Sequence, residues 1–261
     1  MCRYIHSFFR ILFLTLFVTI QSCDDPYDYG DGSHGDSVPV EEDIVEDEES
    51  PTPTDTENPT FLALGDSYTI GEGVPTDQRW PVQLVTQINN EGYDLSDAAI
   101  IARTGWTTVN LWSSIDYTEL SDSTYTFVSL LIGVNDQYRG FNIDDYPDSF
   151  RQLLIKAIQL AAGNAENVFV LSIPDWGVTP FAGSRDRQRI SDAIDEYNLI
   201  NRSIAEDLKV QYFNVTDISR QASTDETLLA SDGLHPSGKM YALWVEEIRP
   251  WMIDRLESME E

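Results

Sequence analysis

One histidine in this sequence is a candidate for acid–base chemistry within the predicted folded domain. Of the three histidines, His6 and His34 lie in the first 60 residues, which have no pattern of a folded domain, so only His235 remains for the fold. Asp232 precedes it by three residues, near enough for one turn to present both side chains at one site. A carboxylate beside an imidazole holds the ring tautomer and stabilises the imidazolium that forms during proton transfer. His235 is therefore the candidate general base, with Asp232 as its orienting group.

The candidate nucleophile is Ser67, which follows the apolar run 61–65 almost directly. Gly65 permits a tight turn that would expose the serine hydroxyl. A serine hydroxyl is a weak nucleophile at neutral pH and needs a base such as His235 to take its proton. Both residues also have purely structural interpretations, because Ser67 could cap the helix that follows it and His235 could cap the last helix.

The elements that must position these residues alternate between strand and helix. Apolar runs predict strands over residues 61–65, 98–102, 126–132, 168–173 and, more weakly, 210–213. Helical spacing of apolar residues over 150–161 and 190–208 predicts amphipathic helices between them. A last helix is expected to start at Pro236, and Pro250 is expected to kink or split its far end. This alternation predicts a parallel sheet covered on both faces, with a ligand site beyond the carboxyl ends of the strands.

Four short blocks follow the predicted strands or precede the last helix. They are Gly65-Asp66-Ser67-Tyr68, Arg103-Thr104-Gly105-Trp106, Gly133-Val134-Asn135-Asp136 and Asp232-Gly233-Leu234-His235-Pro236. In this order and at these intervals they resemble the four blocks of the SGNH (GDSL-type) hydrolase family, and the resemblance covers roughly residues 61–255. No Gly-x-Ser-x-Gly elbow occurs in the chain, which counts against an α/β-hydrolase.

The resemblance implies a three-layer α/β/α sandwich with a flavodoxin-like, mainly parallel five-stranded sheet. It also implies a serine esterase that hydrolyses carboxylic esters through an acyl-enzyme, with a catalytic triad of Ser67, Asp232 and His235 and no metal or organic cofactor. The oxyanion hole would combine the backbone N–H groups of Ser67 and Gly105 with the side-chain amide of Asn135. Gly105 and Asn135 could alternatively be plain turn residues.

The substrate is less well defined by the sequence. Family substrates run from acetylated polysaccharides to short-chain lipids and thioesters, and deacetylation of carbohydrates is the preferred hypothesis. A lysophospholipase or thioesterase of the same family is one alternative, and a non-catalytic surface glycan-binding module is another.

Aromatic residues on the loops at the predicted active edge are candidates for the substrate pocket, because aromatic walls suit apolar chains and stack on sugar rings. Tyr138 and Trp176 are expected to bind substrate. Three further residues are weaker candidates: Trp106, Arg139 and Phe181. A local basic cluster consists of Arg185, Arg187 and Arg189. We expect salt bridges from this cluster to surrounding acids, with capture of a carboxylate as the alternative.

The start of the chain predicts export. A basic beginning and a largely apolar run over 11–20, too short to span a bilayer, predict a signal peptide over residues 1–22. The run Ile20-Gln21-Ser22-Cys23 resembles a bacterial lipobox, in which Gln21 is an unusual occupant. It predicts lipidation of Cys23 and an outer-membrane or cell-surface lipoprotein. The alternative is an ordinary cleaved signal with an incidental cysteine and a periplasmic or secreted protein.

Charge divides the rest of the chain. Residues 24–60 contain 14 acidic residues, five prolines and no lysine or arginine, which predicts a disordered tether over 23–60 before a hydrolase domain over 61–261. The chain carries a net charge of −29, and 31 acids against 14 bases leave the domain itself at −17. This charge argues against a nucleic-acid partner and mildly favours neutral esters. The cysteines, Cys2 and Cys23, both precede the domain, which excludes a disulfide or a cysteine-ligated metal within it.

Overall fold

The computed structural model describes residues 58–117 and 123–259. The predicted signal peptide and Cys23 lie outside these residues, as does all of the predicted tether before residue 58, so the domain boundaries stay predictions. Within the described ranges, no helix has the length and apolar character needed to cross a membrane. The same ranges contain no cluster of three or more His, Cys, Asp or Glu residues suited to holding a metal ion.

The described residues form one five-stranded sheet in which every pair of neighbours is parallel. The strands are β1 (Phe61–Gly65), β2 (Ala99–Ala102), β3 (Phe127–Leu131), β4 (Val168–Leu171) and β5 (Gln211–Phe213). Their spatial order is β2-β1-β3-β4-β5, which is the flavodoxin-like order. The predicted fold class is confirmed, and each strand ends within two residues of its predicted run. Strands β1, β3 and β4 are buried along their whole length, as continuous apolar runs require.

Eight α-helices connect and cover these strands in the described part of the chain. They are α1 (Ser67–Ile70), α2 (Trp80–Asn90), α3 (Thr108–Tyr117), α4 (Val134–Tyr138), α5 (Tyr146–Leu160), α6 (Arg187–Asp207), α7 (Thr216–Arg220) and α8 (Gly238–Glu257). On one face of the sheet, Trp80 of α2 and Trp251 of α8 pack against phenylalanines of the strands. On the other face, the Tyr212 hydroxyl of β5 donates to the carbonyl oxygen of Asn198 in α6. Helices therefore flank the sheet on both sides.

The last helix differs from its prediction at two points. It begins at Gly238 instead of Pro236, because the Ser237 hydroxyl accepts a hydrogen bond from the backbone N–H of Met240 and so caps it. Of the predicted kink or split at Pro250, the split does not occur, since α8 continues to Glu257. Ile248 and Met252, on either side of this proline, are fully buried, and this tertiary packing outweighs the backbone hydrogen bond that proline removes.

Candidate active site

A cavity of about 160 Å³ lies beyond the carboxyl ends of the central strands. Ser67 follows β1, Gly105 follows β2 and Asn135 follows β3, so the loops after three neighbouring strands meet here. The cavity brings together seven of the candidates named from sequence: Ser67, Gly105, Asn135, Tyr138, Trp176, Phe181 and His235. The nucleophile and base candidates therefore face one shared space, at the edge of the sheet where the fold predicts a ligand site.

Asp232 and His235 form a directly bonded pair. The His235 Nδ1 atom lies 2.6 Å from Asp232 Oδ2, and Asp232 Oδ1 accepts the backbone N–H groups of Leu234 at 2.9 Å and His235 at 3.0 Å. Burial by itself would raise the pKa of Asp232, but the hydrogen bonds from the His235 ring and from the two N–H groups lower it overall. The carboxylate therefore stays ionised, as a group that orients an imidazole must.

The loop that carries this pair closes on itself. Leu229 and Pro236 form an isolated antiparallel bridge, and the backbone N–H of Ala230 donates to the carbonyl oxygen of His235 at 2.8 Å. Outside the loop, the N–H of Phe181 donates to the carbonyl oxygen of Gly233 at 3.1 Å. These backbone contacts fix where the imidazole enters the cavity. Ser237, and not His235, is the cap of α8, so the capping interpretation of His235 does not apply.

Ser67 is the first residue of α1, a helix of a single turn. Asp66 is the N-cap, and its Oδ1 atom accepts the backbone N–H of Tyr68 at 3.0 Å, so the Ser67 hydroxyl is not used as a cap. The N–H of a first helical residue has no acceptor within the helix and is available to a ligand. A side chain at Gly65 is excluded, because a Cβ there would lie 2.5 Å from the carbonyl oxygen of Leu131. The strand–helix junction is thus tight enough to present Ser67 at the strand end.

Asp66 itself is completely buried, and its Oδ2 atom has no hydrogen-bond partner. Burial raises the pKa of Asp66 to about 8, and the charge of Asp136 contributes in the same direction, while the N–H of Tyr68 opposes the shift. Near neutral pH the side chain is therefore largely protonated. The side chain caps α1 and does not line the cavity, so its role is to shape the loop.

The loop after β2 and the start of α4 hold each other in place. Asn135 donates one N–H of its side-chain amide to the carbonyl oxygen of Trp106 at 2.9 Å, which leaves the second N–H of the amide for another acceptor. Arg139 donates from Nη2 to the carbonyl oxygen of Gly105 at 2.7 Å. Gly105 has a φ of +82°, a left-handed conformation that glycine adopts without strain. Trp106 and Arg139 thus support the loop and do not line the cavity.

A third contact between the same two segments is buried. The Asp136 carboxylate accepts the Thr108 hydroxyl at 2.7 Å and the Thr108 backbone N–H at 3.1 Å. Burial raises the pKa of Asp136, and the two hydrogen bonds from Thr108 work against that rise. We call the Asp136–Thr108 contact the loop clamp. It fixes the Gly105 segment relative to Asn135, the two positions from which amide N–H groups could reach a common oxygen.

Three aromatic side chains wall the outer part of the cavity. Tyr138 lies edge-on to Trp176, with ring centroids 5.4 Å apart, and Phe181 lies 6.1 Å from Tyr138 and 6.0 Å from Trp176. We call these three residues the aromatic wall. Tyr138 and Trp176, which were predicted to bind substrate, lie at this wall, and Phe181, a weaker candidate, joins them.

The two residues that hold Trp176 were not predicted from sequence. Its indole Nε1 donates to the side-chain oxygen of Gln137 at 2.9 Å, and Asp175 caps the short turn after it by accepting the N–H of Gly177 at 2.8 Å. An Asp two residues before a glycine is an Asx-turn signal that identifies Asp175. The contact from Gln137 joins loops 39 residues apart and has no local signature.

The basic cluster does not form the salt bridges expected from the sequence. In the described ranges, no carboxylate oxygen lies within 4.0 Å of the side-chain nitrogens of Arg185, Arg187 or Arg189. Arg185 donates instead to the carbonyl oxygen of Phe181 at 3.0 Å, and Arg187 to that of Gly177 at 3.2 Å. Backbone carbonyl groups of the 177–182 loop thus replace the expected carboxylates.

Residues 63–243 match the GDSL-like lipase/acylhydrolase family. The chain belongs to this family. The GDSL-type protein is accordingly an SGNH/GDSL carboxylic ester hydrolase, and the enzyme class predicted from its four sequence blocks is confirmed. No curated protein sequence matches the chain.

Solved structures similar to this GDSL hydrolase share its fold at low sequence identity. TesA is 23% identical with a TM-score of 0.56, over 75% of this chain and 99% of that one. Axe2, an acetylxylan esterase from Geobacillus stearothermophilus, is 17% identical with a TM-score of 0.55, over 74% and 93% of the two chains. The esterase EstA from Pseudoalteromonas sp., inhibited by monoethylphosphonate, is 22% identical with a TM-score of 0.52, over 77% and 98%. These likenesses show the fold alone.

Proposed function

We propose that this GDSL hydrolase cleaves carboxylic esters through an acyl-enzyme on Ser67. The observation that carries the proposal is the 2.6 Å contact between Asp232 and His235, on an imidazole that shares a cavity with Ser67. His235 takes the proton of the Ser67 hydroxyl as its oxygen attacks the ester carbonyl, and Asp232 stabilises the imidazolium. The imidazolium then protonates the departing alcohol. In the second half, His235 deprotonates a water that attacks the acyl-enzyme, which releases the acid and restores Ser67.

The negative oxygen of each tetrahedral intermediate needs donors, and three are proposed. They are the backbone N–H of Ser67 at the start of α1, the backbone N–H of Gly105, and the second side-chain N–H of Asn135. All three residues line the cavity, and the loop clamp supports the placement of Gly105 relative to Asn135. Donors fixed before the reaction stabilise charge that appears only in the transition state.

Labelling with a fluorophosphonate tests this assignment. We expect the wild-type domain to gain one adduct that peptide mapping assigns to Ser67, and Ser67→Ala to lose both the adduct and the turnover of 4-nitrophenyl acetate. The matched control is Ser149→Ala, which removes a hydroxyl of α5 that donates to the backbone carbonyl of Asp145, and this variant should retain both. A folded wild-type protein that takes no label but binds glycans would instead support the non-catalytic module.

We also propose that the acyl group is short and that the alcohol is a carbohydrate. Pockets for drug-sized ligands usually measure about 300–1,000 Å³, so a cavity of about 160 Å³ suits a small acyl group. The aromatic wall offers ring faces of the kind that stack on sugars. The shared fold of an acetylxylan esterase is consistent with this proposal. Comparing acetyl-xylan, acetyl-mannan, long-chain esters and thioesters tests it, and a preference for the last two would support a lysophospholipase or thioesterase.

For delivery, we propose that Cys23 carries lipid and tethers the enzyme to the outer membrane or cell surface through the acidic segment 23–60. The support is the lipobox-like run before Cys23 and the composition of the segment after it. Metabolic labelling with an alkyne fatty acid should mark the wild-type chain and a Cys2→Ala control, but not Cys23→Ala. Equal labelling of Cys23→Ala, or none of the wild type, would contradict lipidation.

A further inference from the structure

A second and much larger cleft, of about 1,020 Å³, lies beside the small cavity. Tyr138 and Trp176 line both spaces, so the aromatic wall is a partition between them. The cleft is therefore adjacent to the small cavity, and an ester whose carbonyl carbon reaches Ser67 needs to pass only Tyr138 and Trp176 to enter it. The small cavity limits one part of the substrate, and the cleft provides room for the other part.

Arg185 is held at the partition. Its guanidinium carbon lies 6.0 Å from the ring centroid of Tyr138, 5.8 Å from that of Trp176 and 5.4 Å from that of Phe181. One nitrogen, Nη1, donates to the carbonyl oxygens of Phe181 at 3.0 Å and Ala182 at 3.4 Å. These contacts fix the plane of the guanidinium group, while Nε and Nη2 have no acceptor among the described residues. A guanidinium carries five N–H donors, so an unused donor edge remains.

The charges around Arg185 leave this edge open. The neighbouring Asp186 caps α6 by accepting the N–H of Arg189, and Asp192 accepts the side-chain amide of Gln188. With Glu196, these are the carboxylates of the cleft, and all belong to α6 or its cap. Arg220 shows the contrast, because its guanidinium lies within 4.0 Å of three carboxylates. Among the residues that the structure describes, Arg185 is thus a fixed cation with no carboxylate oxygen within 4.0 Å, beside the proposed catalytic cavity.

We propose that Arg185 determines specificity by binding a carboxylate on the alcohol part of the substrate. The proposal rests on the proposed esterase function and narrows the proposed carbohydrate alcohol to one that bears a carboxylate. Guanidinium and carboxylate groups pair through two parallel hydrogen bonds, for which a fixed planar donor edge is suited. Exposed charges of the domain beyond about 8 Å are largely screened at physiological salt. Within the cleft, the three carboxylates oppose an acidic ligand, whereas Arg185 and Arg189 attract it. The acyl group then occupies the small cavity and the acidic alcohol the cleft.

Two acetate esters that differ by one carboxylate test the proposal. They are 2-nitrophenyl acetate, which is neutral, and 3-acetoxy-4-nitrobenzoate, which carries a carboxylate on the same leaving group. Arg185→Gln should lower kcat/KM for the anionic ester about 10-fold or more, mainly through KM, since hydrogen bonds to charged groups contribute about 1.5–3 kcal/mol. It should change the neutral ester less than about twofold. Arg185→Lys should recover part of the loss, because it restores the charge without the planar fork.

Arg202→Gln is the control, since it removes the same charge from α6 at a residue paired with Glu206. It should leave the ratio of the two esters unchanged. An equal effect of Arg185→Gln on both esters, or an equal change of the ratio in Arg202→Gln, would overturn the proposal. If the wild type hydrolyses neither ester, the proposed function itself fails, so the two failures are distinguishable.

Discussion

The loop clamp gives the most informative prediction, because it joins two proposed oxyanion donors without itself touching the cavity. The Asp136 carboxylate accepts two hydrogen bonds from Thr108, at 2.7 and 3.1 Å, in a buried setting. In Asp136→Asn the neutral side chain offers one accepting oxygen in place of two. Hydrogen bonds to charged groups contribute about 1.5–3 kcal/mol and neutral ones about 0.5–1.5 kcal/mol. We therefore expect this substitution to lower the free energy of unfolding by about 1–3 kcal/mol.

Asp136→Asn should also lower kcat, because the proposed oxyanion donors at Gly105 and Asn135 lose their alignment. Loss of one oxyanion donor typically costs about 10²–10³-fold in rate, so misplacement of Gly105 relative to Asn135 should lower kcat by up to that factor. KM for a small neutral ester should change little, because the clamp does not line the cavity. Thr108→Val removes the hydroxyl donor and keeps the backbone N–H, and we expect an intermediate loss of kcat.

The assay is a double-mutant cycle on Asp136 and Thr108, with urea unfolding followed by tryptophan fluorescence and with kcat on 4-nitrophenyl acetate. A coupling energy of about 1 kcal/mol or more is expected for groups in direct contact. Asp94→Asn, which makes the same chemical change at an exposed position, is the control. Strict additivity of the two substitutions, or a loss of stability with full kcat, would refute the reasoning.

Three further predictions concern the Asp232–His235 pair, the side-chain amide of Asn135 and the buried carboxyl group of Asp66. Asp232→Asn should lower kcat by about 10³–10⁴-fold with the fold intact, because the imidazole loses the carboxylate that fixes its tautomer. Asn135→Ala should lower kcat about 10²–10³-fold with a smaller change in KM. Asp66→Asn should keep the α1 cap and remove a group with a pKa of about 8 in the native state and 3.8 in the unfolded chain. Because native Asp66 holds its proton at higher pH, wild-type stability falls as pH rises between these values, and the variant should gain about 1.4 kcal/mol per pH unit relative to it.

Steady-state kinetics and urea unfolding at several pH values between 5 and 7 measure these effects. An Asp232→Asn enzyme with more than a tenth of wild-type kcat would show that the imidazole needs no carboxylate partner. An effect of Asn135→Ala confined to KM would exclude a transition-state role for the amide. Parallel pH profiles of stability for Asp66→Asn and the wild type would exclude a raised native pKa at Asp66.

The parts of the fold that could be predicted from sequence are the strands in which every consecutive residue is buried. β1, β3 and β4 are buried on both faces, so every residue is apolar or small and the run is visible without alignment. No helix is predicted over 80–90, although Trp80, Leu84 and Ile88 have helical spacing, because Pro81 obscures the pattern while being favourable in a first turn. The continuity of α8 through Pro250 depends on packing, which a local rule about proline does not contain.

At the site too, contacts that are local in sequence were predictable, and contacts between distant loops were not. The Asp232–His235 contact spans three residues and follows from spacing in one turn, and the position of Ser67 follows from the strand before it. The loop clamp joins residues 28 apart, and the Trp176–Gln137 contact joins residues 39 apart. Such contacts depend on how loops from different strands meet. Over residues 58–117 and 123–259, Arg185 forms no ion pair, which depends on the folded surface, and the expectation drawn from the acidic composition was wrong.

Because the loop between Leu229 and Pro236 is closed by its own backbone, two distances at the site are controlled in different ways. The distance between the imidazole and its carboxylate is internal to a short segment pinned by its own backbone, so changes in sheet twist or helix tilt leave it unaltered. The distance from the His235 imidazole to Ser67 is not fixed within one segment. It depends on how the 229–236 loop packs against the rest of the domain. Warming or remote substitutions should therefore abolish turnover by moving an intact Asp232–His235 pair away from Ser67, the proposed nucleophile, under conditions in which the contact within the pair persists.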